Sequence, residues 1–320
     1  MGTPAAPERR ASDGDARAGW TVWGLDASVV VDDPADLAVA RGLAEDELAA
    51  VTAACSRFDA DSELSRLNAG PRPADGVVLS PLLAEFVGVA LQVAADTDGA
   101  VDPTLGADLD ALGYDRDFAQ LLAGPGGPAV TISVAGPRRA GWRRTELCGR
   151  VLRLPGDLRL DLGATAKAHA ADRIARRIQH ATGRGALVSL GGDIATAGPA
   201  GGRRWEVLVQ DLPGDPAQQI SLPPAAGLAT SSTQKRRWQS DGVTRHHILD
   251  PRSGLPAEPV WRSVSVAARS CLAANAHSTA ALVRGRSAAA LLSAAEVDAR
   301  LVAADGAVVT TGRWPREVRS

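Results

Sequence analysis

Asp161-Leu162-Gly163-Ala164-Thr165-Ala166-Lys167 reads as a strand that runs through a glycine into a helix. The start of a helix collects unpaired backbone N–H groups and partial positive charge, so it suits phosphate or carbonyl oxygens. Lys167, about one turn in, adds a full charge beside such an anion. An ordinary strand–turn–helix with a solvated lysine is the other reading of these residues alone. The helical pattern continues from about 165 to 181, and the runs 186–190 and 205–210 read as strands.

On the N-terminal side, WTVWGLDASVVV (20–31) reads as a first strand. Asp33-Pro34 looks like an N-cap and first helical position, opening a helix to about Cys55. Ser80-Pro81 repeats that signal over 80–97, with Leu82, Leu83, Phe86, Val87, Ala90 and Leu91 on one face. A turn at 124–128 and short strands at 129–134 and 151–154 fill the middle. On the C-terminal side come a strand at 261–268, helices at 272–284 and 287–295, and a strand near 299–304. No βαβ unit repeats, so the expected class is α+β, with mixed or antiparallel sheets and flanking helices. Residues 1–19 are expected to be a disordered leader, 20–313 a single domain and 314–320 a C-terminal tail.

The bulk numbers narrow the classes. The chain has 320 residues, 45% of them apolar, in the ordinary globular range. Its net charge is −2, from 35 basic and 37 acidic residues, and no basic face accumulates, so nucleic acid is not an expected partner. Only Lys167 and Lys235 among the basic residues are lysines, the rest being arginines. The three cysteines are odd in number and lack a CxxC spacing, which argues against a disulfide framework or zinc knuckle. No signal peptide, lipidation cysteine or membrane-length apolar run is read, so the expectation is a reduced cytoplasmic protein without membrane insertion.

The remaining motifs are individually modest. Gly191-Gly192-Asp193 follows the apolar run ALVSL; paired glycines there allow close backbone approach, to a ligand or merely to a neighbouring strand. In His246-His247-Ile248-Leu249-Asp250-Pro251-Arg252-Ser253-Gly254, adjacent strand residues point to opposite faces, so at most one imidazole serves a given pocket. That histidine could act as a general base, or could be a core histidine satisfied by the turn carboxylate. Asn275 and Thr279 share a helical face and offer oxygen ligands to a hard cation, though a polar surface stripe looks the same. Asp98–Thr104 reads as a helix end with a C-cap glycine, and Phe58–Asn68 as a capped helical turn.

In this order, seven blocks together resemble the ApbE-type flavin transferases, FAD:protein FMN transferases. They are FDADSELSRLN (58–68), DGAVDPTLGADLDALGYD (98–115), LDLGATAKAHAADRI (160–174), ALVSLGGDIATAG (186–198), ATSST (229–233), HHILDPRSGLPA (246–257) and AANAHSTAALVRG (273–285). The resemblance implies a cleft for FAD with Mg2+ against its pyrophosphate. It implies attack by a Ser or Thr hydroxyl of an acceptor flavoprotein on the riboflavin-side phosphorus, with release of AMP. Carried over by motif, Trp23 and Phe58 flank the flavin ring, Ala100, Val101 and Asp102 line the pocket, Asp161 and Lys167 contact FAD, and Leu249 packs against it. Ala164, through its backbone oxygen, and Asn275, Ser278 and Thr279 fall at the metal positions. His247 falls at the position of the base, and Lys167 is counted with it as catalytic.

That chemistry is reasonable on its own terms. A divalent ion offsets the negative charge that repels a hydroxyl nucleophile, and phosphoryl transfer needs positioning more than covalent help. An imidazole, with a reference pKa of about 6.5, is a fair proton acceptor at neutral pH. Four departures from the family pattern stand out. Asn275 replaces the usual Asp, which weakens the metal site or leans it on the FAD phosphates. Ala168 replaces a Gly, Phe58 replaces the commoner Tyr, and the export and lipid-anchor signals of most relatives are not read here. Two alternatives share the same motifs: Mg2+-dependent hydrolysis of FAD to FMN and AMP, and a non-catalytic FAD-binding or flavin-buffering protein.

Overall fold

The stretch expected as one strand over 20–31 is a hairpin: Ala16–Val22 pairs antiparallel with Leu25–Val31 in a computed structural model that describes residues 16–123, 140–199, 202–240 and 242–315. Trp23 and Gly24 form its two-residue turn, with φ of 52° and 66°. Two positive-φ residues give the turn a twist that matches the paired strands, a task glycine does easily and tryptophan does not. The turn at 124–128 and the strand at 129–134 lie outside the described residues, as do residues 1–15 of the expected leader; residues 16–19 already belong to the first strand.

Within the span of the expected single domain, the chain forms two compact units that interleave along the sequence. The first takes the described parts of Met1–Leu48, Lys167–Ser232 and Pro259–Ser320; the second takes those of Ala49–Ala166 and Thr233–Glu258. Both are α+β, and their sheets are antiparallel, as expected.

In the first unit, eight strands form one sheet in chain order: Ala16–Val22, Leu25–Val31, Ala186–Leu190, Asp193–Ala197, Ala226–Ser232, Trp261–Ala268, Asp298–Ala303 and Val308–Thr311. Gly191 and Gly192, with φ of 62° and 94°, make the tight turn between the third and fourth strands and set Asp193 as the first residue after it. One sheet face carries Leu187, Ile194 and Leu228, buried with Trp205, Val207, Val209, Ile220 and Leu222 of the Trp205–Val209 and Gln218–Leu222 hairpin. Trp314, expected in a tail, lies in this core at 4% exposure and donates from Nε1 to Gln218 at 2.8 Å. The Cys271–Arg284 helix packs against the Ala226–Ser232 and Trp261–Ala268 strands. A Cβ on Gly227 would stand 2.0 Å from the Cys271 nitrogen, so only glycine admits the start of that helix to the sheet.

The second unit contains the Glu63–Ala69 helix, capped by Ser62, and the Pro81–Asp96 helix, capped by Ser80, as their cap residues announce. It also holds a three-stranded sheet ordered Val77–Val78, Val151–Arg153, Glu146–Cys148, and hairpins at Arg237–Ser240/Val243–His246 and Leu249–Asp250/Leu255–Pro256. Leu109, Leu112, Tyr114, Trp238 and Leu249 form one of its cores. The strand expected to lead into Asp161 does not form. Arg159 makes a lone bridge with Leu105, and the Asp161 nitrogen donates to Pro103 at 2.8 Å. Among the described residues, no helix is long and apolar enough to cross a membrane.

Candidate active site

Within the first unit, the Ala226–Ser232 strand alternates its side chains, so that Gly227 and Ser231 face the Cys271–Arg284 helix while Leu228 faces the core. The Ser231 hydroxyl is 2.8 Å from both the Ser278 and the Thr279 hydroxyls. Ser278 in turn donates to the Asn275 carbonyl at 3.1 Å. The helix is tied down at its start. Ser270 caps it, and the Asp172 carboxylate accepts from Cys271 N at 2.8 Å and Leu272 N at 2.9 Å. Burial raises the Asp172 carboxyl above its usual pKa, with these two N–H donors opposing the shift. Cys271 is fully buried and its thiol is pushed well up, which leaves it as packing and not as a nucleophile.

Lys167 is the second residue of the Ala166–Thr182 helix, closer to its start than the sequence suggested. Its Nζ lies 2.7 Å from Asp193, whose side chain is 3% exposed. The other Asp193 oxygen accepts from the Asn275 amide at 3.4 Å. Asn275 is 7% exposed, and its Oδ1 has no hydrogen-bond partner. Lys167, Asn275, Ser278 and Thr279 therefore come together, joined by Asp193 and Ser231, which were not singled out as site residues. Trp23, the remaining residue expected in this unit, is half-buried at the tip of its hairpin.

The donor set fits a hard divalent cation through neutral oxygens alone. A buried amide oxygen with no partner and two hydroxyls are oxygen ligands of the required kind. Ala164, expected to offer its backbone oxygen, is half-buried in the second unit. Among the described residues, no group of three or more His, Cys, Asp or Glu side chains is placed to hold a metal ion.

In the second unit, Arg57 organises the neighbourhood of Phe58 and Asp161. Its guanidinium donates to Asp110 at 3.0 Å and to the Tyr114 carbonyl at 2.5 Å, and pairs with Asp161. It also sits 4.2 Å from the Phe58 ring centre and 4.8 Å from that of Tyr114. Phe58 is 39% exposed, whereas Tyr114 is buried and stacks on Trp238 at 5.2 Å. An outward aromatic ring with a fixed cation behind it suits a flat ligand. Asp161 also accepts from the Gly163 nitrogen at 2.7 Å, closing the turn before Ala164.

Ala100, Val101 and Asp102 are buried, and Asp102 accepts from both the nitrogen and the hydroxyl of Thr104, at 2.9 and 2.6 Å. Leu249, expected against FAD, is buried in the core with Trp238 and Tyr114. The paired histidines differ in burial. His246 is buried at the end of its strand and its Nε2 lies 3.1 Å from the Ala257 carbonyl, while His247, just past the strand, is half-buried. The partner of the His246 Nε2 is a backbone carbonyl and not the turn carboxylate, and the buried Nδ1 of His246 has no hydrogen-bond partner. Burial lowers its pKa, with Arg237 adding to the effect and the carbonyl opposing it.

The same antiparallel α+β arrangement occurs in solved proteins. The ApbE protein of Thermotoga maritima superposes with a TM-score of 0.76 at 23% identity, covering 93% of this chain and 97% of that one. The flavinyl transferase ApbE of Pseudomonas stutzeri, in its apo form, gives 0.75 at 24% identity, covering 93% and 94%. By sequence, the FAD:protein FMN transferase of Klebsiella pneumoniae is 30% identical over 88% of this chain and 81% of its own length. That of Treponema pallidum is 33% identical over 70% and 66%. The model of the ApbE family matches residues 23–301, and the chain belongs to that family.

Proposed function

We propose that this protein transfers the FMN half of FAD onto a Ser or Thr hydroxyl of an acceptor flavoprotein, releasing AMP. The observation that carries the reading is the family match over residues 23–301, which contains every site residue named from the motifs. The relatives named FAD:protein FMN transferase support it further.

In this reading, Phe58, backed by Arg57, and Trp23 flank the isoalloxazine ring. Ala100, Val101, Asp102 and Leu249 shape the pocket, and Asp161 and Lys167 contact FAD. Asn275, Ser278, Thr279 and the Ala164 carbonyl would hold Mg2+. When bound, the ion supplies charge neutralisation at the diphosphate. His247 takes the proton from the acceptor hydroxyl as its oxygen bonds to the riboflavin-side phosphorus. The anhydride bond breaks, and AMP leaves with the bridging oxygen. The free thiols of Cys55, Cys148 and Cys271 support a reducing compartment, the cytoplasm, as the place where the acceptor is met.

The test is intact-mass analysis of candidate flavoproteins from the same cell after incubation with this protein, FAD and Mg2+. An FMN-sized increment on one of them, absent without FAD, is the expected result. Unmodified acceptors throughout would defeat the proposal.

A further inference from the structure

We infer that this chain takes up its divalent cation cooperatively with the diphosphate of its substrate and only weakly without it, because the protein's share of the cation site is electrically neutral and is oriented by Asp193. The inference rests on the transferase reading and deepens it.

The carbonyl and amino ends of an amide look alike in shape, so a neighbour must decide which end faces a ligand. Here Asp193 decides. Its carboxylate accepts from the Asn275 Nδ2 at 3.4 Å, and a turned amide would set oxygen against oxygen. The Asn275 Oδ1 is thereby aimed away from Asp193, buried and without a partner. A buried amide oxygen left unpaired is destabilising, and a ligand that bound this one would remove that cost. Ser278 and Thr279 lie three and four residues further along the helix, on the same side. Their hydroxyls share Ser231, and a hydroxyl oxygen keeps acceptor capacity beyond one hydrogen bond.

The charge count is what distinguishes this site. Asp193 is the carboxylate of the group, and the Lys167 ammonium cancels it from 2.7 Å. Asn275, Ser231, Ser278 and Thr279 carry no charge. Mg2+ gives up its water reluctantly and is ordinarily held by one or two carboxylates together with substrate phosphates. With the protein's charge balanced, the phosphates must bring the negative charge, so cation and nucleotide each raise the other's affinity by the same factor. Asp193 acts through Asn275 and Lys167, as a positioning residue.

Mn2+ binding to the full-length protein, followed by the paramagnetic signal of the free ion and corrected for Mn2+–FAD association in buffer, tests this directly. Saturating FAD should tighten Mn2+ binding at least about tenfold. Asn275→Asp should bind Mn2+ without nucleotide at least about tenfold more tightly than the unaltered protein. Asp193→Asn should weaken FAD-dependent Mn2+ binding, and adding Asn275→Asp to it should restore binding, because a carboxylate needs no neighbour to orient it. Equal Mn2+ affinity with and without FAD, or no gain from Asn275→Asp, overturns the inference while leaving the transferase reading in place. Failure of FAD to bind under any condition removes that reading and the inference with it.

Discussion

Lys167 and Asp193 stand 26 residues apart in sequence and 2.7 Å apart in space, with the carboxylate almost wholly buried and the ammonium reaching it from the edge. The pair is unequal. The lysine can turn to water when its partner is removed, whereas the aspartate cannot. Lys167→Ala should therefore cost more stability, about 3 kcal/mol, than Asp193→Asn, about 1 kcal/mol. Urea unfolding of the two variants checks this, and equal losses would mean that the ion pair does not anchor this part of the unit.

Asp172 receives two N–H groups at the start of the helix that bears Asn275. Asp172→Ala should destabilise by about 2 kcal/mol, because both donors lose their acceptor inside the protein. Asp172→Asn keeps an acceptor oxygen and should lose about half as much. The midpoint of denaturation, at unchanged slope, measures both.

His246 gives stability a pH dependence whose sign is fixed by burial. Its pKa in the fold lies below the ordinary 6.5, so the unfolded chain binds the proton more readily. Stability from this group is fully present above about 6.5 and is lost as the pH falls below that value toward the folded pKa. Melting temperatures between about pH 7.5 and 5 should fall in the native protein and fall less in His246→Gln.

His247→Ala should leave FAD binding intact and slow transfer by at least about a hundredfold, the usual worth of a positioned general base. Binding followed by flavin fluorescence and transfer followed by mass separate the two effects. Undiminished transfer would remove His247 from the role of base.

Much of the helical framework was legible because caps are local signals. Asp33-Pro34, Ser62 and Ser80-Pro81 each mark a helix start that the fold keeps. The hairpin at Trp23-Gly24 was not, because β-rich residues continue through a turn that lacks the usual Asn-Gly pair. Nor was the loss of the strand before Asp161, whose backbone spends its hydrogen bond on the Pro103 carbonyl instead of a sheet. At the site, helical spacing pointed to Asn275 and Thr279 as a pair, while Ser278 and the role of Lys167 came from the family's motifs; the fold brings the four side chains into one neighbourhood. Asp193 and Ser231, which join them, were hidden because their partners lie 26 to 82 residues away. The glycine pair before Asp193 and the alternation of the ATSST strand were the signals that could have found them.

The most direct test of the whole account is to follow adenine and flavin together while the protein turns over FAD with Mg2+, with and without an acceptor flavoprotein. Transfer predicts AMP appearing only with the acceptor, one for each FMN joined to it, and no free FMN. AMP and free FMN released in step without any acceptor would make the protein a hydrolase, and intact FAD under every condition would make it a binding protein.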